Sequence, residues 1–365
     1  MTRADGHAAD GGRRRPGKPQ VEVVIPVHSP SRPIRRAVES VFAGTTKTDV
    51  SVTVVCHRTE PQAIERQLAG IPRVRLLRCD DAAISPAAPV NLGLEAADAK
   101  YFSRLDSDDE FEPGAIDAWM RVAARSNADV VISPLRHEGR RVEYAPLTRP
   151  FRHGRLDAVR DRLSYRTAVF GLVRLDTVRR LGARYTTGLR TGEDIEFGLR
   201  LWFDSPRIDY AAHAPAYLVH HDATDRTLAS DSTFRSDLAA ASAMIATPWL
   251  AGRSQDEKLA IAVKLARVHL FDAARRVRTV PIEPADADAA VSFVSTLDAL
   301  APGWRAPFNR ADARALESLA TGDIGGANSA WDAATRRDLI FAPTALGTLH
   351  RESTLRRYLR YRLPR

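Results

Sequence analysis

The sequence predicts an α/β protein: a doubly wound, mostly parallel sheet followed by an all-helical region. Three observations carry this. Five short apolar strand-like runs fall within the first 133 residues, and segments of helical apolar spacing alternate with them on short connections. Beyond about residue 233 the chain turns Ala- and Leu-rich and keeps only helical periodicity.

The elements follow in order. VEVVIPV at residues 21–27 is a near-continuous β-branched run of the kind that a parallel sheet buries on both faces. Pro33 suits the first turn of a helix, Ile34, Ala37, Val38, Val41 and Phe42 recur at helical spacing, and Gly44 supplies the stop. A strand over residues 51–56 leads to a helix opened by Thr59-x-x-Gln62 in a capping-box pattern, with Ile64 and Leu68 on its face. Next come a strand over 74–79, a small-residue helix through Val90, Leu94 and Ala97, and a strand over 101–106. A helix beginning near Pro113 with Ile116, Trp119, Met120 and Ala123 on one face precedes the strand at 129–133. Residues 134–170 mix Arg and Pro with weak periodicity. A helical pattern returns over 193–203, with Ile195, Leu199, Trp202 and Phe203 beneath Glu193 and Asp194, and further helices are expected near 236–246, 255–276, 285–300 and 310–320.

The expected organisation is a disordered basic tail at 1–20, a sheet domain at 21–230, a helical domain at 231–350 and a basic amphipathic tail at 351–365. At 365 residues, 44% hydrophobic and 27% charged, the chain is composed like a soluble globular protein, which excludes disordered, collagenous and coiled-coil classes. Its net charge of +9 lies almost wholly in the tails, with +3 in residues 1–20 and +5 in 351–365. A neutral body argues against nucleic acid as a partner. Cys56 and Cys79 are too few for a disulfide framework and end apolar runs, so a reducing, cytoplasmic setting is expected. No apolar run reaches the roughly 18–20 residues that span a bilayer. The last fifteen residues, RESTLRRYLRYRLPR, interleave arginines with Leu355, Tyr358, Leu359 and Leu363, a pattern suited to peripheral contact with the anionic inner face of a membrane.

In a doubly wound sheet ligands bind beyond the carboxyl ends of the strands. Those ends hold Pro26 and His28, Cys56 and His57, Asp80 and Asp81, and the acidic stretch Asp106 to Glu110. Asp-x-Asp places two carboxylates on one side of an extended segment, and hard divalent cations take oxygen ligands, so Asp106 and Asp108 are candidates for holding Mg²⁺ or Mn²⁺.

Three motifs in order, VVIPVHS, PVNLGLEAADAKYFSRLDSDD and TGEDIEFGLRLW, make residues 21 to about 225 resemble the family 2 glycosyltransferases. These are inverting enzymes of the GT-A fold that use nucleotide-diphospho-sugars. The resemblance implies that Asp106 lies beside ribose and sugar, that Asp108 binds a metal bridging the diphosphate, and that Asp194 is the catalytic base, with Glu193 beside it orienting acceptor or loop. YLVHHDATDRT is similar to the family's later Tyr-x-x-His stretch, which makes His220 a further metal or diphosphate ligand and Arg226 a candidate for phosphate. Cys56 and His57 stand where the family carries a base-reading Asp pair, and Pro89-Val90-Asn91 stands for Ala-Arg-Asn, so Asp80 or Asp81 is left to read the base while Asn91 is retained. Pro26, His28, His57, Asp81, Asn91 and Asp106 form the expected nucleotide-sugar site. The expected partners are a nucleotide-diphospho-sugar donor and a cell-envelope glycan or polymer acceptor, with self-association through the carboxyl-terminal helices. A catalytically silent GT-A-like partner protein is the alternative. Nucleotidyl transfer would need a Gly- and basic-rich loop after the first strand, and PVHSPSRP has no glycine.

Overall fold

The structure, a computed structural model, describes residues 18–143, 145–222, 233–279 and 282–363. Most of the 1–20 tail and Arg226 lie outside the described residues. Lys18 and Gln20 are docked: Lys18 Nζ donates to Asp98 at 2.7 Å, and the Gln20 carbonyl accepts from the Tyr101 N–H.

The first half builds a seven-stranded sheet. Its elements are β1 (Val21–Val27), α1 (Ile34–Phe42), β2 (Val50–His57), α2 (Pro61–Gln67), β3 (Val74–Cys79), α3 (Ala87–Ala96), β4 (Tyr101–Arg104), β5 (Glu110–Phe111), α4 (Ala115–Ser126), β6 (Val130–Ile132), β7 (Leu135–His137), β8 (Gly171–Arg174), α5 (Leu175–Leu181), α6 (Ile195–Asp204), β9 (Ile208–Tyr210) and β10 (Tyr217–Val219). The strand order is β3-β2-β1-β4-β8-β6-β9, and a small sheet β5-β10-β7 sits beside it. β8 runs antiparallel to both β4 and β6, whereas the other pairs in the large sheet are parallel.

β1 shows why the β-branched run works. Val21, Val23, Ile25 and Val27 join a core with α1 and Trp119 of α4, while Val24 joins a second core with Val90, Leu94 and Phe102. The alternation is the period-2 geometry of a strand buried on both faces. α3 lies so close to the sheet that a Cβ on Gly93 would meet Val24 Cγ1 at 2.3 Å.

Two local expectations are corrected. α2 begins at Pro61 with Glu60 at the cap position and no side-chain capping bond, so Thr59 does not form the capping box; Pro61 sets the start instead. β8 was hidden after the irregular 134–170 stretch, and it intervenes between β4 and β6.

The helical region comprises α7 (Phe234–Ile245), α8 (Pro248–Ala251), α9 (Gln255–Leu265), a π-helical turn at Ala266–Leu270, α10 (Phe271–Arg276), α11 (Pro284–Leu300), α12 (Arg310–Ala320), α13 (Ile324–Asp332), α14 (Ala345–Leu349) and α15 (Thr354–Arg362). Phe271, Trp304, Phe308 and Leu316 lie at its centre. Capping boxes at Thr233–Ser236 and Ser254–Glu257 open α7 and α9. α6 serves both cores: Ile195 and Leu199 pack with the helical residues, whereas Phe197, Leu201 and Trp202 pack toward the sheet. The start of α6, with Glu193 and Asp194, is thereby pinned at the junction.

The basic tail forms α15, capped by Ser353, which accepts from the Arg356 N–H. Two of its arginines turn inward, Arg357 over the Tyr165 ring and Arg360 donating to the carbonyls of Leu147 and Arg160, while Arg356 and Arg362 are exposed. Tyr358, Leu359, Tyr361 and Leu363 are exposed. No helix among the described residues is long and apolar enough to cross a membrane.

Candidate active site

β1, β2 and β4 deliver their carboxyl ends to one cleft of about 250 Å³. Pro26, His28, His57, Asp106 and Asp108 all line it, together with Arg32 and Arg104. The acidic turn is set by the backbone: the Leu105 N–H donates to Val24, the Asp106 N–H donates to the Tyr217 hydroxyl at 3.0 Å, and the Asp109 N–H returns to the Asp106 carbonyl.

Arg104, at the end of β4, ties the two acidic segments together. Its Nε donates to Asp106 Oδ1 at 2.9 Å and its Nη1 to Glu193 Oε1 at 3.3 Å, while the guanidinium lies 5.3 Å from the centre of the Tyr185 ring. Burial works against its charge, yet the carboxylates of Asp106, Glu193 and Asp194, with Tyr185, hold the Arg104 pKa well above the ordinary arginine value. Burial pushes Asp194 upward from the usual carboxylate range, and Arg104 and Lys264 oppose it. Glu193 is raised for the same first reason, with Arg104 opposing and Asp194 adding to the rise. A carboxylate made more basic by burial, with nearby cations opposing that rise, is chemically suited to accept a proton.

The strand-end acids differ in environment. Asp108 Oδ2 lies 2.6 Å from Arg32 Nη1, and the Asp108 carbonyl accepts from Arg36 Nη2. Asp109 points inward, accepting from the Tyr217 hydroxyl at 2.8 Å and the His220 N–H at 3.0 Å. Burial first, then Asp106 and Asp108, push its pKa up to about 8.

Other expected residues sit elsewhere. The His220 ring lies between Glu110 (Nε2 to Oε2, 2.5 Å) and Glu138 (Nδ1 to Oε2, 3.2 Å). Among the described residues no group of three His, Cys, Asp or Glu is gathered as a ligand set. Asn91 clasps the Tyr185 backbone, donating to its carbonyl at 2.8 Å and accepting its N–H at 3.0 Å, which fixes the approach to Glu193 rather than facing the cleft. Asp81 sits beside His57, whose Nε2 is 2.9 Å from the Asp81 carbonyl, and its carboxylate accepts from the Ala83 N–H.

Sequence reasoning missed Arg32, Arg104 and Lys264. Lys264, in α9, is 1% exposed, and its Nζ lies 2.7 Å from His269 Nε2 across the π-helical turn. Burial lowers its pKa to about 8, and the charge of Asp194 opposes that fall. Burial and the nearby Lys264 and Arg276 charges hold His269 well below the ordinary histidine value, and therefore neutral. The i, i+5 spacing is the one signal in the sequence, and it becomes meaningful only where the helix widens.

The comparisons with known proteins bear on the family and the fold. Residues 22–182 match the family model described as Glycosyl transferase family 2. Among solved structures, residues 1–349 of S. aureus TarS in complex with UDP-GlcNAc share the fold at a TM-score of 0.70 and 14% identity, over 86% of this chain and 90% of that one. The same TarS piece in complex with UDP gives a TM-score of 0.65 at 14% identity with the same coverage. Longer S. aureus TarS also gives 0.65 at 14% identity, and there the match spans 86% of this chain and 55% of that one. No curated protein matches the chain in sequence. Residues 22–182 thus carry a glycosyl transferase family 2 domain, built on a mixed, mostly parallel sheet of the GT-A fold.

Proposed function

We propose that the chain is an inverting glycosyltransferase that moves a sugar from a nucleotide-diphospho-sugar to a hydroxyl of a cell-envelope glycan or polymer, with Asp194 as general base. The observation that carries this reading is Arg104, which bridges Asp106 at the donor cleft to Glu193, the neighbour of Asp194. Donor-side and acceptor-side acids are thereby joined across one site. The two S. aureus TarS structures with UDP-GlcNAc and UDP support a uridine diphosphate sugar as the first donor to try.

In this reaction the acceptor oxygen forms a bond to the anomeric carbon as the carbon–oxygen bond to the diphosphate breaks. The bonding pair leaves with the diphosphate, and the hydroxyl proton passes to the Asp194 carboxylate. The charges of Arg104 and Lys264 oppose the upward push of burial on that carboxylate, and Arg104 holds Glu193 and Asp106 in place.

Asp106 and Asp108 suit Mg²⁺ or Mn²⁺ in the mode where one or two carboxylates are supplemented by substrate phosphates and water, and not in an all-protein cage. When bound, such a cation supplies neutralisation of the leaving diphosphate. Asp108 must exchange its Arg32 partner to hold it.

The reading is tested by a thermal-shift panel of UDP, GDP, CDP and dTDP sugars with and without Mn²⁺. Ligand binding to the folded state alone raises the melting temperature. One donor class should stabilise the protein in a Mn²⁺-enhanced manner; absence of any shift across the panel would contradict the donor assignment.

A further inference from the structure

α15 returns to the sheet half of the molecule and closes a second cleft, of about 330 Å³, remote from the residues of the donor site. Its walls carry six arginines, Arg149, Arg160, Arg162, Arg351, Arg356 and Arg360, and a single carboxylate, Glu352. Asp161, behind the wall, pairs with Arg149 at 2.6 Å, Asp256 with Arg351 at 3.0 Å, and Glu352 faces Arg162 at 3.6 Å. Among the described residues Arg160, Arg356 and Arg360 have no carboxylate within ion-pair distance. Arg360 donates only to the carbonyls of Leu147 and Arg160.

Arg162 is the buried member of the cluster. It is 4% exposed, donates through Nη2 to the Arg351 carbonyl, and keeps Nε and Nη1 buried without a hydrogen-bond acceptor among the described residues. Burial, and secondarily the like charges of Arg360 and Arg357, lower its pKa to about 10, with Glu352 opposing. A buried guanidinium whose Nη1 has no acceptor among the described residues, whose Nε meets Glu352 only at 3.6 Å, and which is crowded by like charges is a costly arrangement unless a further anion completes it. Planar guanidinium forks match the tetrahedral oxygens of phosphate.

We propose that this arginine cleft is an anion site that binds a phosphate group, carried either as free phosphate or on a lipid head group. It rests on residues outside the transfer site and stands whether or not Asp194 is the base. The exposed Leu359 and Leu363 at the rim are what make a lipid source worth separating from a soluble one.

The test uses the full chain and inorganic phosphate in thermal-shift titrations at constant ionic strength, with chloride as control. Wild type should be stabilised by phosphate beyond chloride. Arg356→Glu and Arg160→Glu, both at exposed positions, should fold and melt near wild type without phosphate, yet need roughly tenfold more phosphate for the same shift, the loss of about 1.4 kcal/mol. An equal phosphate response in both variants would place the effect elsewhere and overturn the proposal. A flotation arm with phosphatidylcholine vesicles, with and without phosphatidylglycerol, separates the sources. Binding that needs phosphatidylglycerol and is lost in Arg356→Glu supports a head group, and phosphate stabilisation without vesicle binding supports free phosphate. Neither response would reject the site.

Discussion

The Arg32 guanidinium lies 2.6 Å from the Asp108 carboxylate inside the donor cleft, with both side chains largely buried. The acid at the end of β4 is therefore neutralised by the chain itself, and a cation at Asp108 must compete with an internal one. Removing Asp108 (Asp108→Ala) should abolish Mn²⁺-enhanced nucleotide binding. Arg32→Ala should act in the opposite direction, lowering the Mn²⁺ needed for half-maximal stabilisation by roughly tenfold, the equivalent of one pKa unit of interaction. Calorimetric titration of Mn²⁺ with UDP present reads both, and an unchanged or higher Mn²⁺ requirement in Arg32→Ala would contradict the competition.

Lys264, on α9 of the helical region, acts on Asp194 through its charge. Its folded-state pKa of about 8 lies below the ordinary lysine value because burial penalises its charge. Between about 8 and 10.4 the unfolded chain binds more protons at this position, so its contribution to stability rises with pH through that window. Lys264→Met should melt higher than wild type at pH 7, with the difference shrinking toward pH 10. The same substitution removes a cation that holds the Asp194 pKa down, so the acid limb of the pH–rate profile should move up by about one unit. A melting change with no movement of that limb would leave Lys264 a packing residue only.

Gly93 tests the close approach of α3 to β1. In an exposed helix Gly→Ala stabilises by about 1 kcal/mol. Here the added Cβ would fall 2.3 Å from Val24 Cγ1, so Gly93→Ala should instead destabilise by roughly 1–3 kcal/mol in denaturant titrations. Stabilisation would show that the helix can shift outward freely.

Much of this architecture is legible in the sequence because burial on both faces leaves a strong mark. VEVVIPV and VSVTVVCH are near-continuous apolar or β-branched runs, and they are β1 and β2; YFSR, opened by two aromatics, is β4. Asp106 and Asp108 stand out because the same runs locate the strand ends. β8 leaves only GLVR after an irregular stretch, too short for periodicity to speak, and the two glycines of IGGANSAWD mask α13. The site's basic half is less visible. Arg104 reads as a polar interruption of a strand, Arg32 as a loop charge, and Lys264 as the polar face of a helix, because their roles depend on partners up to 89 residues away, as in the Arg104–Glu193 pair. Asn91 carries the reverse lesson: a residue retained from a motif is used here as a backbone clasp.

The most direct test of the account follows nucleoside diphosphate release by wild type and Asp194→Asn, using the donor that stabilises the protein most and a cell-envelope glycan as acceptor. Asn keeps the size and polarity of the side chain but cannot take the acceptor proton. Acceptor-dependent release should fall by roughly 10²–10⁴-fold while the donor-induced thermal shift is preserved. Release by Asp194→Asn at the wild-type rate would contradict the assignment of Asp194 as base, and loss of the donor-induced shift would move the residue to the donor side of the cleft.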